Sequence, residues 1–98
     1  MKAVKSSGNV FFDVGFTPAE ARNLRMRSEV MTALRRFIEK EGLTQAAAAR
    51  RLKVTQPRIS DLTQGKISRF SLDTLVNMLV DAGLGVELRI TGLSKRVA

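Results

Sequence analysis

The residues best equipped for chemistry in this 98-residue chain crowd between positions 43 and 66. Arg50, Arg51, Lys53, Arg58 and Lys66 stand there against Asp61 alone, a local charge of +4 within a total of +8. Among them lie the amides Gln45, Gln56 and Gln64 and the hydroxyls Thr44, Thr55, Ser60 and Thr63. Amides and hydroxyls both donate and accept hydrogen bonds, and clustered cations attract an anion. The chemistry on offer is therefore contact with an acidic partner. Elsewhere the charge is thinner: +3 over residues 1–27, zero over 28–42 and +1 over 67–98.

Bond-making chemistry is poorly provided for. The chain has no histidine and no cysteine, which excludes Ser-His-Asp and Cys-His catalysis, haem or iron–sulfur ligation by those residues, and an ordinary zinc site. No nucleophile–base pair or glycine-rich phosphate loop is visible. An enzyme is not expected, and neither is a cofactor. Without disulfides the chain fits the cytoplasm. The apolar cluster Val10-Phe11-Phe12 ends at Asp13 and is too short for a signal peptide, and no run of apolar residues is long enough to span a membrane.

The elements that must position the polar cluster can be read from caps and periodicity. Thr17-Pro18-Ala19-Glu20 has the form of a capping box with proline in the first turn. Ala21, Leu24, Ser28, Met31, Leu34 and Ile38 follow at helical spacing, as one helix to about Glu41 or as two broken near Ser28. Gly42 is placed to stop it. Thr44 caps a helix to about Leu52, Thr55 caps another to about Gln64, and Ser71 caps a last one to about Asp81 or Ala82. In that last helix Leu72, Leu75, Val76, Leu79 and Ala82 are expected to form the buried stripe. The period then changes. Val86, Leu88 and Ile90 alternate with Glu87, Arg89 and Thr91, the pattern of a strand with one buried face. Such a strand needs a partner, either residues 10–14 or the same strand of a second copy. Residues 9–16, rich in phenylalanine, read as a short strand or an extended arm packed on the body. Phe11, Phe12 and Phe16 are structural in this reading, as are Met26, Met31 and Met78. The four alanines 46–49 serve helix packing.

Two short capped helices joined by a turn of about three residues form a helix-turn-helix layout over residues 44–64. Ala49 allows close helix approach, Leu52 and Val54 flank the turn, and Ile59 and Leu62 face inward. On these residues, and on the phrases "GLTQ", "VTQPRIS" and "LTQGK", the chain resembles the phage-repressor-like (XRE) family of DNA-binding proteins. One departure is Lys53, where the family usually has glycine. A left-handed backbone there would cost about 1 kcal/mol. The longer pattern "GNVFFDVGF", "FSLDTL" and "VELRI" resembles small antitoxin-like regulators often encoded beside RelE-like toxins.

The resemblance implies that the second helix of the motif lies in the major groove of double-stranded DNA. Gln56 then becomes the leading base reader, since its amide can address adenine bidentately. Pro57 would pack on a thymine methyl, Ser60 would serve any base, and Asp61 would accept from cytosine. Arg58 would read guanine or clamp a phosphate. Thr44, Gln45, Thr55, Lys66, Ser68 and Arg69 are the expected phosphate contacts, which fix register without reading sequence. Arg50 and Arg51 are either solvated or in contact with the DNA groove or backbone.

The expected architecture is mainly α: one repressor-like domain over residues 1–98, with four to five helices and a short C-terminal strand. Residues 1–8 and 93–98 are expected as flexible tails. A homodimer is expected through Val86, Leu88 and Ile90. The function implied is sequence-specific repression of transcription, with neutralisation of a RelE-like toxin as a second role. A protein-interaction module with little DNA binding is the alternative. An RNA-binding protein is disfavoured by the shortage of aromatic residues.

Overall fold

A computed structural model of the chain describes residues 15–92, so the expected flexible tails and residues 10–14 lie outside the described part. Among the described residues the order is α1 (Pro18–Glu41), α2 (Gln45–Leu52), α3 (Gln56–Thr63), a 3-10 turn (Ile67–Arg69) and α4 (Leu72–Asp81).

The start of α1 is the capping box written in the sequence. The Glu20 amide donates to Thr17 Oγ1 at 3.1 Å, and the Thr17 amide donates to Glu20 Oε1 at 3.0 Å. The helix runs unbroken past Ser28 for 24 residues, which selects one helix over two. Gly42 ends it in the left-handed region (φ 64°), where a side chain would be strained. Thr44 and Ser71 accept from the amides of Ala47 and Thr74, each at 3.1 Å. Thr55 occupies the cap position of α3 but its side chain makes no cap bond, contrary to expectation. The reason is local. Pro57 brings no N–H to the first turn, and the Arg58 amide donates instead to the Thr55 carbonyl at 3.1 Å.

A single core joins these helices. Met31, Leu34 and Ile38 of α1 meet Ala48, Ala49 and Leu52 of α2, Ile59 and Leu62 of α3, and Leu75, Met78 and Leu79 of α4 with its cap residue Ala82. Phe70, just after the 3-10 turn, is buried among them. α3 rests on α2 and α1, while α4 lies along α1 and touches α2. The inward positions of the motif, Ala49, Leu52, Ile59 and Leu62, are those expected.

Lys53 adopts the left-handed backbone that the departure from glycine raised (φ 58°, ψ 44°). Its position closes the turn, with the Val54 amide donating to the Ala49 carbonyl at 3.0 Å. The Lys53 ammonium lies 3.8 Å from Asp81 Oδ1, but with the lysine side chain 74% exposed that pair contributes little. Lys53→Gly should therefore stabilise the fold by about 1 kcal/mol, read as a higher urea midpoint at unchanged slope. A lower midpoint would mean that the ion pair outweighs the backbone strain.

Two expectations fail at the C-terminal end. Met78, with Leu75, Leu79 and Ala82, fills the buried stripe of α4, whereas Leu72 and Val76 are only half-buried. They sit at the edge of the α1 contact and face a groove. Residues 85–92 form no strand, and no strand occurs among the described residues. Val86, Leu88 and Ile90 are 47%, 79% and 84% exposed. The alternating pattern is present, but a ladder requires a second strand, and the described part of the chain offers none. Likewise Met26, expected with the core methionines, is 40% exposed.

Candidate nucleic-acid interface

The first turn of α3 projects Gln56 and Pro57 into solvent. Burial of Ile59 and Leu62 turns Pro57 to the opposite, outward side of the helix, while Gln56 stands on its flank at the open first turn. Neither Gln56 nor Gln45, also exposed at the start of α2, has a side-chain hydrogen bond among the described residues. The hydroxyl of Thr55, unused as a cap, is exposed beside them.

Arg58 behaves differently. Its guanidinium lies over the Phe70 ring, 4.2 Å from the centroid, and Nη1 donates to the Arg69 carbonyl at 2.8 Å. Both contacts tie α3 to the segment after it. To reach a guanine edge, Arg58 must leave the ring. Ser60 is half-buried, and its hydroxyl accepts from Gln64 Nε2 at 2.9 Å.

Asp61 is the centre of a small charge cluster. Its Oδ1 accepts from Arg69 Nη1 at 3.0 Å and lies 3.8 Å from Lys66 Nζ. The Asp61 side chain is only 17% exposed, whereas those of Lys66 and Arg69 remain 41% and 56% exposed. The carboxylate is thus directed at two of the expected phosphate ligands. Ser68 is exposed on the same turn.

That turn is held by a residue outside the helix-turn-helix. Arg27 of α1 donates from Nη1 to the Phe70 carbonyl at 3.0 Å and to the Ile67 carbonyl at 3.3 Å, while its Nε donates to Asn23 at 2.7 Å. A contact spanning 43 positions leaves no local signature. Arg51 is exposed, and its guanidinium also lies over Phe37 at 5.1 Å and donates to the Ala82 carbonyl at 3.4 Å. Arg50 is exposed.

The assembled surface comprises the starts of α2 and α3 and the turn at 66–69, all rich in hydroxyls, amides and cations. Two short helices joined by the residues Lys53–Thr55, the second presenting its N-terminal turn outward, define a helix-turn-helix unit. The helix-turn-helix domain family matches residues 10–91 of the chain. A solved structure named as an XRE family transcriptional regulator superposes with a TM-score of 0.71 at 32% identity, covering 76% of this chain and 83% of that one. No curated protein matches. The chain belongs to the XRE-like helix-turn-helix family. Among the described residues, no helix is long and apolar enough to cross a membrane.

Proposed function

We propose that this chain is a sequence-specific repressor of transcription that docks α3 in the major groove of double-stranded DNA. The observation that carries the reading is the pairing of two surfaces. Gln56 and Pro57 stand exposed and uncommitted at the tip of α3, beside a turn bearing Lys66, Ser68 and Arg69. In this reading Gln56 addresses a base, with Pro57 and Ser60 in support. Thr44, Gln45, Thr55, Lys66, Ser68 and Arg69 take phosphates. Arg58 first braces the surface through Phe70, and Asp61 competes with phosphate for the two cations. The structural neighbour's name as a transcriptional regulator supports the same assignment.

Gel shifts on the chain's own promoter test it. Gln56→Ala is expected to relax discrimination at one base pair by about 1–3 kcal/mol. Lys66→Ala is expected to weaken all DNA alike and to reduce the salt slope by about one. Unchanged sequence preference in both Gln56→Ala and Arg58→Ala would remove α3 as the reading helix.

One such helix covers few base pairs, so the repressor is proposed to act as a two-fold dimer with half-sites about 34 Å apart. The exposed Val86, Leu88 and Ile90 supply the self-complementary strand. Light scattering at micromolar concentration should give about twice the 10.8 kDa chain mass, and Leu88→Asp should return it to the monomer. A wild-type monomer would refute this assembly. Neutralisation of a RelE-like toxin is a separate proposal resting on the flanking motifs; it is tested by co-purification with the product of the neighbouring gene.

A further inference from the structure

Two arginines of α1 reach the segment that follows α3. Residues 27, 31 and 35 stand four apart and so lie in one row along the helix, with Met31 buried in the core between the arginines. Arg27 is committed to Asn23 and to the carbonyls of Ile67 and Phe70. About 12 Å further along α1, Arg35 reaches the other end of that segment. A side chain at Gly65 would begin 3.5 Å from Arg35 Nη1, so the guanidinium lies against the backbone where α3 gives way to Lys66. Arg35 is exposed and makes no hydrogen bond or ion pair among the described residues. The Asp61 carboxylate, by contrast, already holds Arg69 and Lys66. Residues 28–42 carry no net charge, so nothing in the local sequence marks this cation.

Helix geometry relates that end of α3 to the DNA. Gly65 lies about 13 Å beyond Gln56 along the helix. A major groove is about 12 Å wide, and phosphates line both of its walls. With Gln56 at the base edges, the far end of α3 overlies one wall, on the side where Lys66 is assigned a phosphate. We propose that Arg35 of α1 is a further phosphate ligand, which closes with Lys66 on the DNA strand at the end of α3. This rests on the major-groove reading above and extends it outside the helix-turn-helix, to a helix which that reading leaves idle. Lys66 must leave Asp61 to bind a phosphate, whereas Arg35 breaks no contact within the protein. Arg35 therefore contributes at least as much to the salt dependence as Lys66 does.

Titrations of the full chain on operator and scrambled duplexes, over a range of salt, test this with Arg36→Ala as the control. Arg36 is also exposed and also without a partner among the described residues, but it points about 100° away round α1, so its loss removes the same charge from another face. Arg35→Ala should weaken binding to both duplexes by about 5- to 10-fold in 0.1 M salt and flatten the salt slope by about one. Arg36→Ala should lose less than about twofold, because a charge beyond the screening length is felt weakly. Single methylphosphonates, each neutralising one phosphate of the operator, identify the contact itself. At one position the substitution should weaken the wild type and leave Arg35→Ala unchanged. Equal losses in Arg35→Ala and Arg36→Ala, or no position at which wild type and Arg35→Ala differ, overturn the assignment and leave the reading helix in place. A wild type that binds neither duplex overturns both. Circular dichroism melts of the two variants should match the wild type. A lowered melt with an unchanged salt slope would make Arg35 a support of the turn and not a ligand.

Discussion

Phe70→Ala should cost about 3–5 kcal/mol, because it empties a large buried site at the junction of α1, α3 and α4. A small domain has only about 5–15 kcal/mol to lose, so this variant should melt at a markedly lower temperature than the wild type. Circular dichroism melting is the measurement. The more informative partner is Phe70→Leu. Leucine keeps most of the apolar burial but gives Arg58 no ring to stack on. An Arg–ring contact contributes about 0.5–2 kcal/mol, so DNA affinity should fall by roughly 2- to 30-fold while the helices melt close to wild type. If Phe70→Leu binds DNA as the wild type does, Arg58 is not a brace of the interface.

The second large effect concerns Asp61. Its carboxylate draws Arg69 and Lys66 toward itself, in competition with any phosphate. Asp61→Asn keeps an oxygen to accept from Arg69, so the turn at 66–69 should retain its shape. The loss of the negative charge frees both cations and raises the charge of the chain from +8 to +9. Affinity for unrelated DNA should rise by about tenfold at low salt, with a salt slope steeper by about one. Affinity for the operator should rise less, so specificity falls. Titrations at several salt concentrations, on operator and scrambled duplexes, separate the two. Weaker binding to both would show instead that the ion pairs present the cations to DNA.

Local rules made much of this fold legible. The capping box at Thr17 and Glu20, the caps at Thr44 and Ser71, and the stop at Gly42 each depend on a few adjacent residues, and each stands where those residues place it. Lys53 could be flagged because it stands where the family that the chain resembles usually has glycine. What escaped the sequence was set by distance. Arg27 holds carbonyls 40 and 43 positions away, and Phe70 receives Arg58 from the far end of α3. Periodicity likewise identified Leu72 and Val76 as apolar, but not which side of α4 would find a partner. The alternation at 86–91 records a preference for pairing, and the partner strand is not written into that segment. For the interface, residue types located the surface, while geometry separated its members. Arg58, Ser60, Asp61 and Arg69 are engaged within the protein, whereas Gln45, Thr55, Gln56, Pro57 and Ser68 are not.

That separation bears on how such a protein can change over evolutionary time. Substitution at an exposed side chain without partners usually alters stability by less than about 0.5 kcal/mol. Gln56 fits that description, standing one turn from a fully buried Ile59 and stacked above nothing. A lineage can therefore try other amino acids at position 56 and acquire a new preferred sequence without first accumulating compensating changes elsewhere. At Arg58 or Asp61 the same trial disturbs the clasp on the following turn. Evolvability is concentrated at the tip of one helix, and conservatism a single turn behind it.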